Sequence, residues 1–211
     1  MKTLSMALFA GLIIFSSCSS TQVTSSWKAN NIPAATTYKK IMVLGIINQK
    51  DRTLREALEN QLVNDLKEQG YDAHSALQEY GPKAFDKFTE DEIADQLKNS
   101  GYDAVLTTVL LDKTKDKQYT PGNVSYQPVG VYYNRFRRYY TTVYDRVYTP
   151  GYYTVSTNFF LESNFYDTNT GDLIYSVQSK AFDPSSSTSL SNDYANMVIK
   201  DMKKNGVIVK K

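Results

Sequence analysis

Lys39-Lys40-Ile41-Met42-Val43-Leu44-Gly45-Ile46-Ile47 is the stretch that decides the fold, together with the helix pattern behind it and the Gly70-Tyr71-Asp72-Ala73 that ends that pattern. An unbroken apolar run after two lysines is what a strand buried on both faces requires. Thr53-Leu54-Arg55-Glu56 then has the spacing of a capping box. Leu54, Leu58, Leu62 and Leu66 recur every fourth residue with Ala57 and Val63 beside them, which predicts an amphipathic helix. Gly70 stops it with the residue a left-handed cap prefers, and a short strand is expected over 71–76.

The same grammar is written again downstream. Thr89-Glu90-Asp91-Glu92 is a second capping box, Ile93, Ala94 and Leu97 supply the apolar face, and Gly-Tyr-Asp-Ala returns at 101–104 before an apolar strand over 104–111. Two helix–glycine–strand units in series predict parallel strands joined by crossover helices. After Asp112 the period changes to two: Val155, Thr157, Phe159, Leu161 and Phe165 alternate with Thr154, Ser156, Asn158, Glu162 and Asn164. The cluster 167–172 is a turn, and Leu173, Tyr175, Val177 and Ala181 resume the alternation, so a long antiparallel hairpin is expected. A last helix follows, with Leu190, Tyr194, Met197, Val198 and Met202 inward and Asn205-Gly206 as its stop. The predicted class is α/β (α+β), a mixed sheet with helices packed on it, in the order β-α-β-α-β, a Tyr-rich excursion, then β-β-α.

Upstream, Lys2 gives a positive start, Leu4–Phe15 carries no charge, and Ser16-Ser17-Cys18-Ser19 closes the run with small residues. About a dozen apolar residues suit the core of a signal peptide and are too few to span a bilayer. The chain's one cysteine falls where the cut is expected, and this pattern resembles the lipobox of bacterial lipoproteins. Phe15 departs from it, because leucine usually stands three places before the cysteine. The resemblance implies that residues 1–17 are removed and that Cys18 carries a diacylglycerol and an N-acyl chain such as palmitate. Ser19, in place of an aspartate, implies the outer membrane; the domain is expected to face the periplasm, with the cell surface as the alternative. Residues 18–37 then read as a lipidated tether rich in Ser, Thr, Asn and Ala, and 38–211 as one domain. Trp27, the only tryptophan, either docks on that domain or sits at the lipid headgroups.

Composition removes several function classes. A net charge of +2, with Lys and Glu interspersed along the predicted helices, is far from a general nucleic-acid binder. With one His and one Cys, a zinc site and a Ser–His or Cys–His nucleophile have almost no material, and no Gly-x-Ser-x-Gly elbow occurs. His74 reads as a partly exposed sheet residue. Asp167, Asn169 and Asp172 miss calcium-loop spacing, since Gly171 stands fifth and no Glu stands twelfth, so they are expected to bond the turn backbone. Glu90, Asp91 and Glu92 sit where they complement a helix dipole. No catalytic residue, metal or cofactor is assigned, and the chain is expected not to be an enzyme.

The unusual stretch is 119–153. It holds ten of the 17 tyrosines and four arginines against one acid, Asp145, and Tyr-Thr-Pro-Gly brackets it at 119–122 and 148–151. Paired turn chemistry of this kind predicts an excursion that leaves the sheet and returns. Tyr132, Tyr133, Arg135, Arg137, Arg138, Tyr139, Tyr140, Tyr144 and Arg146 are the candidate binding residues. Tyrosine brings contact area at low entropic cost, and arginine forks onto carboxylates and phosphates. Such a surface suits a protein partner, a glycan strand or an acidic headgroup; packing of the hairpin on its own domain is the alternative.

Several of these features together resemble a group of small periplasmic lipoproteins of unassigned function: Trp27, the first strand Lys39–Val43, the Gly101–Ala104 strand entry and the Tyr166–Leu173 hairpin turn with Tyr175 two places on. The element order is also similar to the amino-terminal domain of TolB and to the lipoprotein activators of penicillin-binding proteins. The resemblance covers about 27–208 and brings no catalytic residue; the leading expectation is a non-catalytic envelope lipoprotein, bound to the membrane by lipid and, through its Tyr/Arg excursion, to an envelope protein or peptidoglycan. A self-assembling structural subunit and a carboxylate-dependent envelope hydrolase are the other two expectations.

Overall fold

The computed structural model describes residues 21–30, 32–83, 90–134 and 139–211, and over 123–148 it gives the course and pairing of the backbone. Cys18, the expected signal 1–17 and Arg135, Arg137 and Arg138 lie outside the described residues. In chain order the elements are β1 (Thr21–Lys28), β2 (Lys40–Ile46), α1 (Arg52–Glu68), β3 (Asp72–Ser75), α2 (Ala76–Tyr80) and α3 (Glu90–Asn99). Then come β4 (Ala104–Thr120), β5 (Asn123–Asn134), β6 (Tyr139–Thr149), β7 (Tyr152–Asp167), β8 (Leu173–Phe182) and α4 (Ser187–Lys204).

Six strands form one mixed sheet in the order β1-β8-β7-β4-β2-β3, and β5 and β6 pair as a separate two-stranded ribbon. β2 lies parallel to both β3 and β4, as the repeated helix–glycine–strand units predict, and the other neighbours are antiparallel. The two faces of β2 explain its unbroken apolar run. Ile41 and Val43 join the larger core with Leu58, Leu62 and Leu66 of α1, Tyr194 and Val198 of α4, and Leu161 and Phe165 of β7. Met42 and Leu44 point the other way, onto Ala76, Leu97, Tyr102 and Val105. α1 and α4 therefore share one face, while α2 and α3 cover the opposite face at β2 and β4. Among the described residues no helix covers that second face over β7, β8 and β1.

Three expectations need correction. The segment read as a tether carries β1, which pairs antiparallel with β8 from Thr21↔Ala181 to Lys28↔Tyr175. β1 hides no alternation because only Thr21 of its eight residues is buried. It is held by its ladder and by polar ties to the end of α4, Ser26 Oγ to Asp201 at 2.7 Å and Lys28 Nζ to the Asn205 carbonyl at 3.0 Å. The Thr53 capping box does not start α1; the helix begins at Arg52, straight out of a 3₁₀ turn capped by the Asn48 side chain. β4 does not stop near Leu111 but runs to Thr120, its last ten residues solvent-facing but for one.

Candidate functional site

The extension of β4 is the root of the site. β8 accompanies β7 only as far as Phe182↔Asn158, and β2 leaves β4 at Ile46↔Val109. Beyond those points β4 and β7 pair with each other alone, through Lys115↔Thr157 to Thr120↔Tyr152. The neck is fastened where it leaves. Asp183, with φ 42° in the left-handed region, donates its N–H to the Thr157 carbonyl and accepts the Thr157 N–H on Oδ1, at 2.7 and 3.0 Å. Asn158 Nδ2 donates to Asp116 at 2.8 Å, and Lys113 Nζ pairs with Asp51 at 2.7 Å.

The two Tyr-Thr-Pro-Gly motifs then meet. The pairing Thr120↔Tyr152 is followed by Asn123↔Thr149, so continuing the register puts Pro121 opposite Gly151 and Pro150 opposite Gly122. Proline has no N–H to give, which interrupts the ladder from both sides. Glycine is needed for a separate reason: a Cβ on Gly122 would stand 2.5 Å from the Thr149 carbonyl oxygen and 2.7 Å from Gly151 N. Tyr119 and Tyr153 meet at this joint with ring centroids 4.9 Å apart and planes tilted by 44°. Tyr119, Tyr152 and Tyr153 are 53%, 59% and 71% exposed, so the joint presents its aromatics to the surroundings.

Past the joint, β5 and β6 continue as a hairpin, the form taken by the excursion that the bracketing motifs predict, from Asn123↔Thr149 to Asn134↔Tyr139. Directly opposed residues share a face and neighbours along a strand alternate. Around the one register shift, between Pro128 and Gly130, this sorts the ribbon into two faces. One holds the pairs Val124↔Tyr148, Tyr126↔Arg146, Pro128↔Tyr144, Val131↔Thr142 and Tyr133↔Tyr140. The other holds Ser125↔Val147, Gln127↔Asp145, Gly130↔Val143, Tyr132↔Thr141 and Asn134↔Tyr139. Of the candidate binding residues, Tyr133, Tyr140, Tyr144 and Arg146 thus fall on a tyrosine face, and Tyr132 and Tyr139 on a polar face.

The other sequence candidates have structural partners. His74 is held between carboxylates, Nε2 to Asp72 at 2.8 Å and Nδ1 to Glu79 at 2.7 Å, and the Tyr102 hydroxyl donates to the same Glu79. These contacts fasten edge strand β3 to α2. Asp167 Oδ1 accepts the Asn169 N–H at 2.8 Å, so its carboxylate serves the turn. Glu90, Asp91 and Glu92 open α3. Burial pushes the hydroxyls of Tyr38, Tyr102, Tyr175 and Tyr194 well above the usual tyrosine range, with nearby Asp167, Glu79 and Asp201 adding to the rise in the first three. Trp27 sits in β1 opposite Ser176 and is 51% exposed. A cleft of about 530 Å³ lies between the start of β1 and α4, lined by Thr21, Val23, Met197 and Lys200 among others.

Sequence reasoning located the excursion and missed its direction. The row Thr21↔Ala181, Ala181↔Phe159 and Phe159↔Lys113 crosses the sheet one residue short of the place where the neck departs. The first residue of β1 and the root of the ribbon are therefore at the same end of the sheet.

No protein-family model and no curated protein matches the chain. Two solved structures are similar to it in part. The PelC dodecamer from Paraburkholderia phytofirmans is similar at 10% identity and a TM-score of 0.47, over 90% of this chain and 99% of that one. Lipoprotein GNA1162 from Neisseria meningitidis is similar at 14% identity and a TM-score of 0.41, over 79% of this chain and 99% of that one.

Proposed function

We propose that the protein is a non-catalytic lipoprotein of the outer membrane, acylated on Cys18 after removal of residues 1–17, which works through its Tyr/Arg ribbon. The observation that carries this reading is the ribbon itself: two strands that leave the sheet beside the start of β1 and pair with each other alone. An element so placed contributes little to the core and serves contact with another envelope component, be it a protein, a cell-wall glycan or an acidic headgroup. A self-assembling subunit is the second reading. It is favoured by the outer edges of β5 and β6, whose backbone groups no other strand takes up among the described residues.

Cells producing the natural chain, Cys18→Ala and a chain lacking 123–147 test the reading. Cys18→Ala should lose acyl labelling and leave the membrane fraction. The shortened chain should stay in that fraction and lose its crosslinked partners, with self-crosslinks alone lost if the second reading holds. Crosslinks unchanged by removal of the ribbon would sink both. Replacing Arg135, Arg137 and Arg138 together with serine should weaken partner capture and leave the thermal midpoint in place.

A further inference from the structure

The tyrosine face of the ribbon has an occupant that the fold itself indicates. The geometry points to insertion of the β5–β6 ribbon into the bilayer that holds Cys18, with ribbons from several copies of the chain closing into a barrel. The inference rests on the proposed acylation of Cys18 and names what the ribbon engages.

Direction comes first. Three peptide steps separate Cys18 from Thr21, so at about 3.5 Å each the acylated residue lies within roughly 10 Å of the sheet end that bears Thr21. The neck leaves from that same end. Its free part, 115–120 paired with 152–157, is about 20 Å long. The Thr21 row reaches Lys113, so a membrane surface some 10 Å further out crosses the neck near Asp116 and Lys117, and the rest of the neck lies at headgroup level. There the chain places Lys117, Tyr119, Tyr152 and Tyr153, the residue types that settle at headgroup level.

Length and pattern come next. β5 has 12 residues and β6 has 11, where a tilted membrane strand needs about 9–11. The register puts five tyrosines, two valines and Pro128 on one face with Thr142 and Arg146, and on the other Ser125, Gln127, Asn134, Thr141 and Asp145 among two tyrosines and two valines, so the first face is the more apolar, as the lipid side of a membrane strand requires. The one charge on the tyrosine face, Arg146, lies three residues from the Thr149 end of β6, near the headgroups. An exposed Arg there costs about 0–1 kcal/mol, against roughly 2–4 at the bilayer midplane. Asp145 falls on the polar face.

Closure follows from the backbone. A single hairpin in hydrocarbon leaves two rows of unpaired N–H and C=O groups, so only a closed barrel is viable. The smallest such barrels have about eight strands, hence at least about four copies, each giving two.

The chain contains one cysteine, which acylation blocks, so single introduced cysteines report cleanly. Lipidated full-length protein carrying Val131→Cys or Tyr144→Cys (tyrosine face), or Gln127→Cys or Thr141→Cys (polar face), is placed in vesicles of phosphatidylethanolamine and phosphatidylglycerol and exposed to a water-soluble maleimide. The tyrosine-face positions should react at least tenfold more slowly than the polar-face ones, and the vesicles should leak a small trapped dye. Equal rates on both faces in protein that sediments with the vesicles would refute insertion and leave the anchor standing. Protein that fails to sediment would remove the acylation on which the inference rests. The same tyrosine-face protection in the Cys18→Ala background without lipid would assign the face to a protein surface and overturn the bilayer.

Discussion

Two buried carboxylates on α1 illustrate how differently one residue type is accommodated. Glu59 is fully buried and accepts from Gly45 N, Leu77 N, Ser75 Oγ and Arg55 Nε at 2.6–2.9 Å, tying α1 to the ends of β2 and β3. Residue 45 must be glycine because a Cβ there would stand 2.9 Å from the Glu59 carboxylate and 2.8 Å from Arg55. Glu59→Gln places an amide donor among donors and leaves Arg55 without its counter-charge. Breaking a buried pair costs about 3 kcal/mol or more, so the thermal midpoint should fall by roughly 6–12 °C in a scanning melt. Asp65 is the opposite case. Its Oδ1 takes the Gln61 amide at 2.7 Å, but its Oδ2 is buried with no partner among the described residues. Burial raises its pKa first, and Glu68 adds to the rise against the Gln61 bond. A carboxyl raised on folding binds its proton more tightly in the native state, so stability falls as pH climbs from about 4 through the raised value. Asp65→Asn should remove that fall. Melts between pH 4 and 7 should be steeper for the natural chain, and parallel curves would exclude the assignment.

At the scale of elements, what the sequence discloses follows what the element buries. β2, α1, α4 and the β7–β8 hairpin were legible because each turns a regular apolar face to the core, Leu58 and Leu62 on α1 or Leu161 and Phe165 on β7. β1 buries one residue of eight and holds on by backbone pairing and by Ser26 and Lys28, so no period betrays it. The β4 half of the neck escaped for the same reason. The excursion was visible in its paired Tyr-Thr-Pro-Gly motifs, whereas its two faces depend on the register shift between Pro128 and Gly130, which composition does not encode. This independence from the core has a measurable consequence. Joining Gly122 directly to Pro150 removes β5 and β6 and leaves every pair from Ala104↔Asp167 to Thr120↔Tyr152. The shortened domain should unfold within about 0.5 kcal/mol of the natural one. A larger loss in chemical denaturation would show that the ribbon packs on its own domain.

For the whole molecule, replacing the expected tether by β1 changes how a chain acylated on Cys18, as proposed, would meet a membrane. A flexible segment of about twenty residues lets a domain wander roughly 25 Å from its anchor and present any side. Three residues would not: with Cys18 acylated as proposed, the Thr21 end of the sheet would face the bilayer and the strands would stand away from it. Trp27 reports on this orientation, since it is the only tryptophan and is half exposed. It lies six residues up β1 from Thr21, about 20 Å along the strand. In vesicles containing lipids brominated on their acyl chains, its emission should therefore stay within about a tenth of its value in unbrominated vesicles, while acrylamide in the water quenches it as it does in free protein. Strong quenching by the bromolipid with loss of acrylamide access would place the indole at the headgroups. The sheet would then lie along the membrane, and the ribbon, leaving parallel to the surface, could not enter it.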